Sequence, residues 1–391
     1  MTPPPLPGMD VCAILAKLVS FDTTSCNPNA ALMSWVEDYL TRMDVPFWRS
    51  VGPEPGKWNL HAILGPVAPG GLAFSGHVDC VPVEGQDWSA DPFVLREESG
   101  RLVGRGAADM KGFVAVMLVA IPRIRAEALL RPVHLFLTFD EEITCDGARH
   151  LVADVQQRGL MPDFCVIGEP TLLAPVIAHK GRYTVRVDIT GRPAHSSRPA
   201  LGTNALHAMG KAIAIIAEIA ESFPQDGLHV PGFDPDHTTM QVGLAQGGSI
   251  LNIVPEKSSF EMEWRAVPGE SNEEIYARIL NALAPLHDAL RADGPGCGLV
   301  FTPLVDLPPL ALSPDAPLAS LLQQVTGHNS AGYVSYGTEA GIYQQAGLPT
   351  IVCGPGSIEQ AHRPDEWISR DQIARCETMI DALVRRVCLS A

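Results

Sequence analysis

Pro132-Val-His-Leu-Phe-Leu-Thr-Phe-Asp-Glu-Glu142 decides the fold: a short apolar run that ends in three consecutive acids. A run of this kind, bounded by polar residues, predicts a buried strand. Leu72 to Ser75 and Phe164 to Ile167 repeat the pattern, and each leads into residues capable of chemistry. Between and around these strands, Met110 to Ala126 and Ala148 to Arg158 carry apolar residues at helical spacing. Working outward toward the N-terminus, Asp10 to Val19 and Ala30 to Arg42 read as helices, and Asn59 to Leu64 as a strand. Strands alternating with helices predict an α/β sheet with helices on both faces.

From Gly181 the order changes. Tyr183 to Thr190 alternates as a strand, Asn204 to Ser222 is helical, and Thr239 to Ala245 and Ser259 to Ala266 are strands. Asn272 to Leu286 is a helix and Gly298 to Thr302 a strand. The order βαββαβ is that of a ferredoxin-like unit. The α/β pattern then returns with a helix at Leu318 to Val325, a strand at Pro349 to Cys353 and a helix from Asp371 to Val387. The expected organisation is a catalytic three-layer α/β domain with a mixed sheet, residues 1–180 and 295–391. A ferredoxin-like lid or dimerisation domain, residues 181–294, is inserted in it. An insertion of this kind separates Glu169 from His362 in sequence while leaving both in one domain.

The bulk composition excludes several classes. A length of 391 residues suits two domains, and 46% hydrophobic with 18% charged residues gives ample core material. A net charge of -16 argues against nucleic-acid binding. The longest apolar run, Phe113 to Ile121, is far shorter than the ~20 residues of a membrane span. The Pro-rich Met1 to Gly8 lacks the pattern of a signal peptide, so a cytoplasmic location is expected. Nine scattered cysteines with no C-x-x-C predict reduced thiols rather than a disulfide framework.

Five segments place acids or histidines at expected strand ends and turns. They are Ser75-Gly-His77-Val-Asp79, Gly106-Ala-Ala-Asp109-Met-Lys-Gly112, Thr138-Phe-Asp-Glu141-Glu142, Gly168-Glu169-Pro170 and Ala361-His362-Arg-Pro364. In an open α/β sheet, ligands bind beyond the carboxyl ends of the strands. Two histidines with several carboxylates and no thiolate suit zinc, cobalt or manganese. Asp79, two residues after His77, is expected to accept the other ring N–H of that histidine. Adjacent extended residues point in opposite directions, so of Glu141 and Glu142 one is expected to bind metal while the other moves protons. Taken singly, each segment also has an ordinary reading: a surface His–Asp pair, a solvated acidic pair, a turn, a loop histidine. Together they converge on one site.

These segments resemble the M20 family of metallopeptidases and deacylases, and the match spans nearly the whole chain. The pattern S-G-H-x-D-x-V-P appears as Ser75 to Pro82, followed by Trp88 and Asp91-Pro92-Phe93. R-G-x-x-D-M-K-G appears as Arg105 to Gly112, E-E as Glu141-Glu142, and G-E-P-T as Gly168 to Thr171. The resemblance implies two divalent ions, zinc first and cobalt second. Asp109 would bridge them, His77 and Glu169 would complete one shell, and Glu142 and His362 the other. It also implies Glu141 as general base, with Asp79 beside it. His195 would stabilise the oxyanion from a partner subunit, which implies a homodimer through the inserted domain. Asn252 and Arg265 would bind the substrate's α-carboxylate, with Gly337 and Thr338 also at the substrate.

Within the family, the resemblance runs toward acetylornithine deacetylases. It is carried by Ala178 to Gly181, Arg192 to Ser197, Gly247 to Pro255, Tyr336 to Gly341 and Cys353 to His362. Ser249-Ile250 departs from that pattern, where Thr and a small residue are expected. The implied activity is amide hydrolysis of an N-acyl amino acid, N-acetyl-L-ornithine first. Alternatives are a desuccinylase, another acylamino-acid hydrolase or a dipeptidase, and, outside catalysis, a metal-stabilised binding protein.

Overall fold

A computed structural model describes residues 9–389; the Pro-rich Met1–Gly8 lies outside the described residues. The chain divides into two compact units. The first comprises the described residues up to Ala178, then Ala311–Gly332, then Thr338 onward. The second comprises His179–Leu310 and Tyr333–Gly337.

The first unit is built on a mixed sheet. Six of its strands run in the order Phe47–Val51, Trp58–Leu64, Val133–Thr138, Leu72–His77, Phe164–Pro170 and Thr350–Gly354. Leu72–His77 pairs in parallel with both Val133–Thr138 and Phe164–Pro170, and Thr350–Gly354 is parallel to Phe164–Pro170. Trp58–Leu64 runs antiparallel to its neighbours. Leu72–His77 and Val133–Thr138 are buried at every position, as a central strand requires.

Alternation along the strands assigns the two faces. Phe74, Leu135, Leu137 and Val166 join one hydrophobic core with the helices Val11–Val19, Ala30–Arg42, Lys111–Arg125 and Arg370–Cys388. Ser75 and Phe136 face the other way. There the Ser75 hydroxyl lies 3.0 Å from that of Tyr343, and Phe136 meets the Tyr343 ring edge-on. Lys111–Arg125 packs on Leu72–His77 between the first and last helices. Its buried face runs all round, from Lys111 to Ile124, so it is a core helix rather than an amphipathic surface one.

The second unit is a four-stranded antiparallel sheet in the order Thr239–Gly247, Lys257–Arg265, Arg182–Thr190, Gly298–Leu307. The helices Ala205–Asp226 and Asn272–Asp293 cover it. Arg182–Thr190 alternates strictly between buried and half-buried positions, with Val185, Val187 and Ile189 in the core. This is the βαββαβ order read from the sequence. Its last strand belongs to the second unit, which therefore continues to Leu310 rather than closing at 294. No described helix is long and apolar enough to cross a membrane. The nine cysteines are free thiols.

Candidate metal centre

Residues from five segments of the first unit meet at the ends of its central strands. His77 is the last residue of Leu72–His77 and is fully buried. Its Nε2 lies 3.0 Å from Asp109 Oδ1 and 3.8 Å from Glu169 Oε1. His362 Nε2 lies 3.3 Å from the other Asp109 oxygen, Oδ2, and 3.0 Å from Glu142 Oε2. Asp109 therefore turns one oxygen to each histidine. The ligand atoms of His77, Asp109 and Glu142 fall within 4.8 Å of one another, as do those of His77, Glu141 and Glu169.

Two expectations about this region are corrected. Glu141 and Glu142 do not continue an extended strand. The strand ends at Thr138, Asp140 takes a left-handed φ of 57°, and the two glutamates lie in the turn that follows. The chain must reverse into the helix Asp146–Gln157, and a strand continuation would overshoot the site. Nor is the Asp79 carboxylate the nearest partner of His77 Nδ1. Its backbone carbonyl is, at 3.0 Å, with Oδ1 at 3.5 Å. The carboxylate is engaged elsewhere: Oδ1 accepts the Glu141 N–H at 3.2 Å, and Oδ2 accepts the Glu142 N–H at 3.3 Å and the Ser25 hydroxyl at 2.7 Å. Asp79 thus fixes the turn that carries both glutamates.

The electrostatics are those of a site built for cations. Burial pushes the Glu141 and Glu169 carboxyls well above the usual carboxylate range, and neighbouring carboxylates add to this. Burial and the adjacent Asp109 charge raise Glu142 to about 7. Burial also opposes the charge on Asp109, but hydrogen bonds from His362 and His77 hold it below its ordinary value. The same hydrogen bonds to Asp109 and Glu142 raise His362 to about 10. Glu142 Oε1 and Glu169 Oε1 are buried without a hydrogen-bond partner among the described residues. Orphaned carboxylate oxygens beside imidazole nitrogens are what divalent ions satisfy, so the donor set fits the expected metal.

Several further side chains support the cluster, and Glu366, Gln86 and Lys57 had no motif of their own. Glu366 is 1% exposed and spends both oxygens on the Asp109 loop. Oε1 accepts the Ala108 and Asp109 N–H groups at 2.8 and 3.0 Å, and Oε2 accepts Gly106 N–H at 2.9 Å and Arg105 Nη1 at 2.8 Å. Gly106 has a φ of 78°, a conformation glycine adopts freely. Gln86 donates to the His362 carbonyl at 3.0 Å and accepts from the Trp88 indole at 3.0 Å. Lys57 holds the Asp140 carboxylate at 2.8 and 2.9 Å and donates to the Ser25 carbonyl at 2.7 Å. Lys111 is buried and ties its ammonium to the Phe21 carbonyl at 3.0 Å.

Thr338 belongs to the first unit, is buried, and its hydroxyl accepts the Ala340 N–H at 3.1 Å. Gly337, His195, Asn252 and Arg265 belong to the second unit. His195 is exposed, and its Nδ1 accepts the Ser197 N–H at 3.1 Å and lies 2.8 Å from the Ser197 hydroxyl, which leaves Nε2 as the outward nitrogen. Asn252 is exposed in the loop after Gly248, its carbonyl accepting the Ser196 N–H at 3.0 Å. Arg265 ends a strand and pairs with Glu263 at 3.3 Å.

A sequence model of peptidase family M20/M25/M40 matches residues 73–386. The acetylornithine deacetylase of Edwardsiella ictaluri is 35% identical over 357 residues, 91% of this chain and 90% of that protein. That of Photorhabdus laumondii is 34% identical over 381 residues, 97% of this chain and 94% of that protein. Among solved structures, an M20 family metallo-carboxypeptidase from Sulfolobus solfataricus matches with a TM-score of 0.76 at 16% identity, covering 96% of this chain and 99% of that one. A Staphylococcus aureus tripeptidase matches with a TM-score of 0.73 at 18% identity, covering 96% and 97%. A Bacillus subtilis dinuclear metal-binding peptidase of the M20 family matches with a TM-score of 0.66 at 14% identity, covering 95% and 96%.

Proposed function

This chain belongs to peptidase family M20/M25/M40, hydrolases acting on amides, and from that membership we propose that it cleaves N-acetyl-L-ornithine to L-ornithine and acetate. The observation that carries the reading is the Asp109 carboxylate, with one oxygen facing His77 at 3.0 Å and the other facing His362 at 3.3 Å. A carboxylate presented to two imidazoles is suited to bridging a pair of ions. In the proposed assignment, both ions would share Asp109, His77 and Glu169 would hold one, and Glu142 and His362 would hold the other. Zinc suits this donor set best and cobalt next. When bound, the ions supply Lewis acidity to the amide carbonyl and to water.

The remaining steps fall to side chains. Glu141 is the proposed general base. It lies outside the proposed ligand set, so its carboxylate can take a proton from the attacking water and keep it until the C–N bond breaks. It then returns that proton to the leaving amine nitrogen. Asp79 fixes Glu141 and Glu142 by their backbone N–H groups. His195 is proposed to donate to the developing oxyanion in the partner subunit of a homodimer, and Arg265, Asn252, Gly337 and Thr338 to receive the amino-acid portion.

The 34–35% identity to acetylornithine deacetylases over more than nine-tenths of the chain supports ornithine as the amino acid. A panel of N-acetyl, N-succinyl and dipeptide substrates tests it. Highest kcat/KM is expected for N-acetyl-L-ornithine. A succinyl or dipeptide preference would replace the substrate while leaving the hydrolase in place.

A further inference from the structure

The segment between Gly227 and Thr238 in the second unit brings two histidines onto one carboxylate oxygen. His229 Nδ1 and His237 Nδ1 each lie 3.0 Å from Asp236 Oδ1. The two rings have centroids 5.5 Å apart and are inclined at 59°. The three ligand atoms fall within 4.8 Å of one another.

The loop is held in this shape from both ends. Glu270 accepts the Leu228 N–H on Oε1 at 3.0 Å and the Thr238 hydroxyl on Oε2, so the residues flanking the histidines are tied to one carboxylate. The Val230 N–H donates to the Asp236 carbonyl at 2.7 Å, closing the loop within. Lys180 Nζ donates to the His237 carbonyl at 2.6 Å. The side chains of His229, Asp236 and His237 are 44%, 44% and 18% exposed, so solvent reaches the cluster and can complete a coordination shell.

We propose that His229, Asp236 and His237 form a divalent transition-metal site distinct from the Asp109 cluster. The set of two imidazoles and one carboxylate selects zinc, cobalt, nickel or copper over calcium and magnesium, which prefer all-oxygen shells. Ligand atoms about 2.0–2.2 Å from a tetrahedral zinc lie roughly 3.3–3.5 Å apart. The two N···O separations therefore need open only slightly to admit an ion. Asp234 acts on the nearby Lys180 ammonium and offsets its charge, so the Asp236 carboxylate keeps its pull on a cation.

The test counts zinc per chain by mass spectrometry after equilibration with excess zinc and removal of the unbound metal. Wild type is compared with His229→Ala/His237→Ala and, separately, with Asp236→Asn. Each variant is expected to retain one ion fewer per chain than wild type, with circular dichroism in chelator unchanged. Metal content equal to wild type in both variants would overturn the site. The reading is a difference between wild type and variant, so it stands apart from how many ions the Asp109 cluster holds.

Discussion

Glu366 accepts the backbone N–H of Asp109 at 3.0 Å, and the same carboxylate holds Gly106, Ala108 and Arg105. It touches no proposed metal ligand side chain, yet it sets where the Asp109 oxygens stand. Glu366→Gln removes one acceptor oxygen and turns an amide NH2 toward N–H donors. Zinc affinity is expected to fall about 10–100-fold, as when a group that orients metal ligands is lost. Competition with a chelator measures it, and wild-type affinity would show that the loop holds itself.

Lys57 and Asp140 brace the turn that carries Glu141 from its other side, with side chains only 5% and 9% exposed. Burial raises Asp140 to about 6 despite Lys57, so without its cation the carboxylate is a liability. Lys57→Met is expected to cost about 3 kcal/mol of stability, the penalty of a buried charge left alone. Lys57→Met/Asp140→Asn should recover much of it, giving a double variant more stable than the sum of the singles. Urea denaturation reads both, and strict additivity would contradict the coupling.

His61 and His134 form a buried chain in the sheet: His61 Nε2 lies 2.9 Å from His134 Nδ1, and His134 Nε2 is 3.0 Å from the Gly70 carbonyl. Burial lowers His61 to about 3 and His134 to about 4. Both values lie below the unfolded one, so the unfolded chain binds more protons in acid. The contribution is fully present above about pH 6.5 and declines as pH falls toward the folded values, by up to about 1.4 kcal/mol per pH unit per histidine. His134→Gln keeps a donor for the Gly70 carbonyl but cannot titrate. Its unfolding free energy should fall less steeply between pH 6.5 and 5; an unchanged slope would assign the acid sensitivity elsewhere.

Much of the candidate metal centre was legible because its proposed ligands stand where apolar strands stop. His77 closes Leu72–His77, and Glu169 lies at the end of Phe164–Pro170. The Glu141-Glu142 pair was legible in kind but not in conformation, since nothing local in the sequence announces the left-handed Asp140. Glu366, Lys57 and Ser25 were not legible. Glu366 holds backbone N–H groups, and Lys57 and Ser25 hold carboxylates, all far along the chain, and such hydrogen bonds leave no period in the sequence. The strand Phe47–Val51 escaped for another reason: it is an edge strand with only Ser50 buried, and its apolar alternation is weak. The strand Arg96–Glu98 is three charged residues and has no apolar signal at all.

The proposed role of His195 in a partner's site predicts complementation. Glu141→Ala and His195→Ala are each expected to be inactive as homodimers. Mixed under subunit exchange, half the dimers are hybrids, and each hybrid holds one site with both residues intact. Activity should recover to about a quarter of wild type. No recovery despite proven exchange would place His195 in its own subunit's site, or in none.

In the proposed division of labour, the Asp109 cluster holds metal while Glu141 moves the proton. That division is tested most directly by acetate release from N-acetyl-L-ornithine, with zinc content measured on the same samples of wild type and Glu141→Ala. The expected result is turnover by wild type, a loss of at least about a hundredfold in the variant, and equal zinc in both. A variant that keeps its activity, or a wild type that holds its zinc and cleaves no N-acyl amino acid, would overturn that division of labour.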